Sequence, residues 1–317
     1  MSIQIYNKRR SVTSYLLEKY IGTLDSKKNL STREHTQKHL EHMGVENIKP
    51  YQLGKVKLTS PIKERSYEDM QVFTLNDQGS PEQRVILYIH GGAHTHQPLS
   101  FHWKFMDYMA QTLNAKVIAP IYPKVPHFNY QHTYPKLLNL YRDIIASIKS
   151  PLQLTIMGDS AGGNISLSLA HYLKMHSLPQ PKDIILLSPC VDMVLDNPVI
   201  FDYETRDPML ALEGYDVIRR IWAADKQLDD PLISPIYGDF DGLGKISIFI
   251  GTHEGLFPDN MELDKKLTDQ GIDHNTFVYP KMNHVFVLYP IPEAKDAQHN
   301  IINIIKHGSH ESHESHK

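Results

Sequence analysis

Short apolar runs recur along most of the chain: RVILYIH at 84–90, AKVIAPIY at 115–122, LQLTIMG at 152–158, IILLSP at 184–189, ISIFIG at 246–251 and NTFVYP at 275–280. Each has the length and continuous apolarity of a strand buried on both faces. Between most of them the apolar positions fall at helical spacing. PKLLNLYRDIIASIK reads as a helix from Pro135, and NISLSLAHYLKM as a helix from Asn164, with Ile165, Leu169 and Leu173 every fourth residue. Strands alternating with helices predict an α/β architecture, a mostly parallel central sheet flanked by helices. Ahead of that series, KVKLTS (55–60) and YEDMQVFTL (67–75) have strand character with no helix between them, which predicts an antiparallel start to the sheet.

Two segments break the alternation. Residues from about 10 to 45 carry two amphipathic patterns, with Val12, Leu16, Tyr20 and Leu24 on one stripe, before any strand has begun. From Val191 to about 240 a Pro-punctuated and largely helical stretch, including DPMLALEGYDVIRRIWAADKQLDDPLISP, separates two strands. Both are expected to form a helical cap, from about 1–50 and about 191–240, over the strand ends of a single domain spanning 1–317. Residues 307–317, HGSHESHESHK, hold nothing that can pack and are expected to be a disordered tail.

Composition narrows the classes. The chain has 317 residues, 41% of them apolar, enough for one large core. Lys and Arg number 33 against 36 Asp and Glu, so no broad basic surface for nucleic acid is implied. Cys190 is the only cysteine, which excludes an intrachain disulfide and favours a reducing compartment. The N-terminal SVTSYLLEKYIGTL is too polar for the core of a signal peptide, and no run approaches the roughly 18 apolar residues of a membrane span. A cytoplasmic protein is the expectation, with a homodimer as a candidate assembly.

Chemistry is carried first by Gly158-Asp159-Ser160-Ala161-Gly162, a GxSxG sequence. Alone it is weak, since average composition would place it by chance in roughly one such chain in ten. Its context strengthens it: a strand precedes and a helix follows, the strand-turn-helix of a nucleophile elbow, where glycines let the chain turn sharply at the serine. GDS also occurs in chymotrypsin-like proteases, but those are all-β, and their histidine and aspartate precede the serine. A serine hydroxyl needs a base and donors for the oxyanion formed on attack. His90, Gly91, Gly92 and Ala93 directly follow a strand, and the hole is assigned to the backbone N–H groups of Gly92, Ala93 and Ala161. Among 19 histidines, His284 follows the last strand and precedes the helix starting near Glu293, where the base belongs. Glu254 lies just beyond the strand ISIFIG and is preferred over Asp259 as the carboxylate that orients the imidazole. His94, His96 and His102 read as surface or pocket-lining residues, because no paired Cys or HExxH spacing points to a metal. No metal and no cofactor are expected.

The combination of HGGA at 90–93, GDSAGG at 158–163, GTHEGLFPD at 251–259 and MNHVF at 282–286, from about Arg84 to Ala297, resembles the hormone-sensitive-lipase-like branch of α/β-hydrolase esterases. The resemblance implies the α/β-hydrolase fold with a helical cap and carboxylic-ester hydrolysis through an acyl-serine intermediate. Its partner would be a small-molecule ester with a short to medium acyl chain. The departures are Ala93 in place of the third glycine of HGGG, Glu254 in place of the usual aspartate, and IYPKVPHFNY (121–130) in place of a YRLAPE-like segment. Two other readings are a ligand receptor on the same fold, against which the retention of His284 argues, and acyl transfer or peptidase action with the same residues.

Overall fold

The computed structural model describes residues 3–307. Nine strands form one sheet: β1 (Gln4–Ile5), β2 (Ile62–Tyr67), β3 (Met70–Leu75), β4 (Val85–Ile89), β5 (Lys116–Pro120), β6 (Leu154–Asp159), β7 (Asp183–Leu187), β8 (Lys245–His253) and β9 (His274–Asn283). Their order across the sheet is β1-β9-β8-β7-β6-β4-β5-β3-β2. All neighbours pair in parallel except β3 with β5 and β2 with β3, which are antiparallel. The helices are α1 (Val12–Ile21), α2 (Ser26–Asn29), α3 (Arg33–Asn47), α4 (Ser100–Leu113), α5 (Tyr130–Ser147), α6 (Ala161–Met175), α7 (Ile200–Glu204), α8 (Tyr215–Ala223), α9 (Phe257–Asp269) and α10 (Pro292–His307).

The strands are apolar throughout because helices cover both faces. In β4, Val85, Leu87 and Ile89 join the core that includes residues of α5 and α6, while Ile86 and Tyr88 join the core of α4 and α10. The same alternation divides Ile184 and Leu186 from Ile185 and Leu187 in β7. The parallel strands therefore end together on one edge of the sheet, where the chain leaves into loops.

Several expectations are corrected. KVKLTS is not a strand: the N–H groups of Thr59 and Ser60 bond the Asp107 carboxylate at 2.7 and 2.8 Å instead of a neighbouring strand. YEDMQVFTL holds the turn of a hairpin, with Glu68 and Asp69 at φ 46° and 62° between β2 and β3. Helix α5 begins at Tyr130, behind the cap Asn129, and carries Pro135 inside it. Of the stripe, Val12 and Leu16 are exposed, whereas Tyr20 and Leu24, though also largely exposed, line an apolar cavity. His307 is the last residue of α10, and the rest of the His-rich segment lies outside the described residues.

The N-terminal helices and the stretch after β7 are fastened to each other. Lys27 Nζ donates to the carbonyls of Glu204 and Asp207 at 2.6 and 2.7 Å, Gly214 N–H to Leu30 O at 2.9 Å, and Arg33 pairs with Asp216 at 2.7 Å.

Candidate active site

Ser160 is the single residue between the end of β6 and the start of α6, with φ 52° and ψ −120°. Such a conformation strains any L-residue and persists only where the surroundings hold it. Here Ser160 N–H donates to Leu187 O at 2.9 Å and Cys190 N–H to Ser160 O at 3.2 Å. The glycines on either side are required by close approach. A Cβ on Gly162 would run into the Ile89 carbonyl, and one on Gly158 into the Gly162 carbonyl.

The loops after β8 and β9 bring two further side chains to this serine. His284 Nε2 stands 2.8 Å from Ser160 Oγ, and His284 Nδ1 stands 2.7 Å from Glu254 Oε2. Glu254 is fully buried, and its Oε1 accepts from Gly251 N–H and from Ser188 Oγ, both at 2.8 Å. Ser188 Oγ in turn accepts Val285 N–H at 3.1 Å, which ties the histidine loop to the carboxylate. An ionised carboxylate accepts only, so the proton sits on Nδ1 and Nε2 is left to accept from the serine hydroxyl. Burial alone would lower the His284 pKa; the hydrogen bond and charge of Glu254, with the nearby charges of Asp207 and Asp159, outweigh it and hold the pKa above its ordinary value. Asp259 lies in the first turn of α9, where its Oδ1 accepts from Asn197 at 3.0 Å. It makes no hydrogen bond to His284, and burial, reinforced by the charge of Asp192, pushes its carboxyl up to about 7.

His90-Gly91-Gly92-Ala93 leaves the end of β4 as a tight turn, with Gly92 at φ +117° and Ala93 at φ 52°. The N–H groups of Thr95 and His96 both close onto Gly92 O at 2.9 Å. Among the described residues no acceptor takes the N–H of Gly92 or Ala93, and that of Ala161, the first residue of α6, has no intrahelical partner. His90 is buried and stacks on Tyr122 with ring centroids 4.6 Å apart. Its Nδ1–H donates to Gly91 O at 2.7 Å, and burial pushes its pKa well down.

Sequence reasoning missed the groups that hold this turn. Asp159, the variable position of GxSxG, is buried. Its Oδ1 accepts Gly91 N–H at 3.0 Å and the Tyr88 hydroxyl at 2.7 Å, and its Oδ2 accepts His102 Nε2–H at 3.2 Å. His102 Nδ1 accepts Leu99 N–H at 2.9 Å, which fixes that tautomer. His102 is thus a buried clamp that, with His96, lines the larger cavity, in keeping with the pocket-lining reading, whereas His94 is fully buried against Trp222, with centroids 4.4 Å apart. Asp207, in the stretch after β7, was also missed. It accepts the N–H groups of Met209, Leu210 and Gly255 at 2.8 to 2.9 Å and so joins that stretch to the residue after Glu254. Burial raises its pKa to about 6, against the opposing charge of His284.

Two apolar cavities meet at Ser160. One, of 350 Å³, touches His284 and is walled by Leu17 and Ile21 of α1, Met209 and Tyr289. The other, of 30 Å³, is walled by Ala161, Cys190, Leu212, Tyr215 and Leu256 and does not reach His284.

The alpha/beta hydrolase fold family matches residues 86–288, well over half of the chain, and the chain belongs to it. Among individual proteins, it is similar to an esterase of Acinetobacter venetianus, 29% identical over 217 residues that make up 68% of this chain and 72% of that one. A Staphylococcus aureus protein solved as a candidate esterase is 28% identical with a TM-score of 0.86, covering 93% of this chain and all of that one. A solved esterase described as from the bacterial hormone-sensitive lipase family shares the fold, at 23% identity, a TM-score of 0.78, and coverage of 94% and 98%.

Proposed function

We propose that the chain is a carboxylic-ester hydrolase of the hormone-sensitive-lipase-like branch, acting on small esters through an acyl-serine intermediate. The observation that carries this is the unbroken chain from Ser160 Oγ to His284 (2.8 Å) to Glu254 (2.7 Å), set on a strained elbow that opens into an apolar cavity. His284 takes the serine proton as Oγ attacks the ester carbonyl, and Glu254 stabilises the imidazolium that forms. The unoccupied N–H groups of Gly92, Ala93 and Ala161 receive the oxyanion. His284 then protonates the departing alcohol, and a water deprotonated by the same imidazole releases the acid and restores Ser160.

The segments 3–50 and 191–240 act as the cap that admits the ester, a reading supported by α1 and Met209 walling the larger cavity. The balanced charge supports a small-molecule partner in preference to nucleic acid, and no helix among the described residues is long and apolar enough to cross a membrane. The single buried cysteine supports a cytoplasmic location.

The test is hydrolysis of a p-nitrophenyl ester series by the wild type and by Ser160→Ala, Glu254→Ala and Asp259→Ala. Short-chain activity disappears in Ser160→Ala, falls steeply in Glu254→Ala and stays near wild type in Asp259→Ala. A folded wild type that hydrolyses none of the series would overturn the reading and favour a ligand receptor.

A further inference from the structure

Resting on that hydrolase reading, we infer that the enzyme accepts esters in one polarity only, with an acetyl- or propanoyl-sized acyl group in the 30 Å³ cavity and the large apolar group carried by the alcohol.

The assignment follows from the proton path. In the tetrahedral intermediate the former carbonyl carbon carries Ser160 Oγ, the oxyanion, the leaving oxygen and the acyl substituent. The oxyanion points at the turn formed by Gly92 and Ala93. The leaving oxygen must lie within hydrogen-bond reach of His284 Nε2, which among the described residues is the acid–base group bonded to Ser160 Oγ and so placed to protonate it as the carbon–oxygen bond breaks. The alcohol therefore extends on the His284 side, and the acyl substituent points away from it. Of the two cavities at Ser160, the 350 Å³ one contains His284, Val285 and Tyr289, and the 30 Å³ one contains none of them.

Size then sets the class of substrate. One water-sized group needs roughly 10–15 Å³ of such space, so 30 Å³ takes about two heavy atoms beyond the carbonyl. The larger cavity lies within the range of roughly 300–1,000 Å³ common for small-molecule sites. The wall of the small cavity is not free to yield. Tyr215 is buried, and its hydroxyl is hydrogen-bonded to His94 Nδ1 at 2.9 Å. The His94 ring packs on Trp222, itself fully buried. A longer acyl chain would have to move this stack, and close-packed interiors resist added volume. Ala93, where the family pattern has glycine, lines both cavities.

Octyl acetate and methyl nonanoate are isomers with the same atoms and opposite polarity, and comparing kcat/KM for the pair tests the inference. Hydrolysis consumes one water and gives octanol and acetate from the first, methanol and nonanoate from the second. Octyl acetate is expected to be the better substrate by at least ~10-fold, the discrimination one excluded methylene can give. Equal rates, or preference for methyl nonanoate, overturn the inference while leaving the hydrolase reading intact; failure to hydrolyse either isomer or p-nitrophenyl acetate overturns both. Leu212→Ala provides the second arm. Enlarging the small cavity is expected to raise the butanoate-to-acetate ratio of p-nitrophenyl ester kcat/KM by ~5-fold or more, within the range a methylene's worth of space can shift. An unchanged ratio would show that this cavity does not set acyl length.

Discussion

At the scale of single residues, Glu254 does two things that a substitution can separate. Its carboxylate fixes the Nδ1–H tautomer of His284, and it raises that histidine's pKa against the effect of burial. Glu254→Gln keeps the size and removes the charge, so kcat/KM is expected to fall by ~10³–10⁴-fold, as loss of the triad carboxylate does elsewhere. On the proposed mechanism His284 must be neutral to accept the serine proton, so kcat/KM is expected to decline as pH drops through the His284 pKa. With the raising cause removed, that acid limb moves to lower pH in the variant, which a pH–rate profile reads directly. Lys124 offers a stability test. It is buried, with Gln97 Oε1 at 2.8 Å and the Tyr122 ring at 4.8 Å but no carboxylate at ion-pair distance among the described residues, and burial lowers its pKa to about 7. The unfolded chain holds that proton up to about pH 10.4, so the unfolded state binds more protons and this residue's penalty fades as pH rises from about 7 to 10. Lys124→Met is expected to stabilise the fold by about 1–4 kcal/mol at pH 7, by analogy with apolar replacement of buried charges, and by less at pH 10, measured by urea unfolding. The serine, histidine and glutamate were legible because each stands just past a strand end in a recognisable turn. Asp159, His102 and Ser188 were not, because their role is to bond groups remote in sequence, and no local pattern encodes such a partner.

At the scale of elements, α1 shows how a hydrophobic stripe can mislead. Its outward face carries Val12 and Leu16, while Ser14 is buried and Tyr20 lines the larger cavity. The orientation is set by hydrogen bonds. The fully buried Glu293 accepts Ser11 N–H at 2.6 Å, Ser11 Oγ at 2.9 Å and Ser14 Oγ at 3.2 Å. On the same side Glu18 pairs with Arg10 at 2.8 Å and His253 at 2.9 Å. Glu293→Ala removes the charged acceptor of Ser11 N–H and leaves the two hydroxyls only Ser11 O and Thr13 Oγ1 as acceptors, and it is expected to cost about 1.5–3 kcal/mol, with faster amide exchange in residues 11–21. Leu16→Ser, on the exposed face, is expected to change stability by no more than about 0.5 kcal/mol. A stability loss from Leu16→Ser exceeding that from Glu293→Ala would contradict the assignment. The strands of the parallel sheet were legible because burial on both faces makes them apolar throughout. Edge strand β2, mostly exposed, has no such signature, and the Glu68–Asp69 turn lacks the glycine or asparagine that usually marks a hairpin. The apolar alternation of KVKLTS reflects real packing of Val56 and Leu58 on the core, without a strand partner.

At the scale of the whole molecule, the sheet order makes the site. The ends of β4, β6, β8 and β9 supply residues 90–93, Ser160, Glu254 and His284, which span nearly two hundred positions in sequence yet meet on one edge because these strands run parallel. The two segments proposed as the cap are fastened to each other through Lys27, Leu30 and Arg33, contacts that neither segment reveals alone. The most direct test of the central claim is covalent capture of the nucleophile with diethyl p-nitrophenyl phosphate, read by p-nitrophenol release and peptide mass spectrometry. Stoichiometric release, a diethylphosphoryl group on Ser160 and parallel loss of esterase activity are predicted, with neither release nor label in Ser160→Ala. Inactivation with the label on another residue, or ester hydrolysis that survives in Ser160→Ala, would contradict the account.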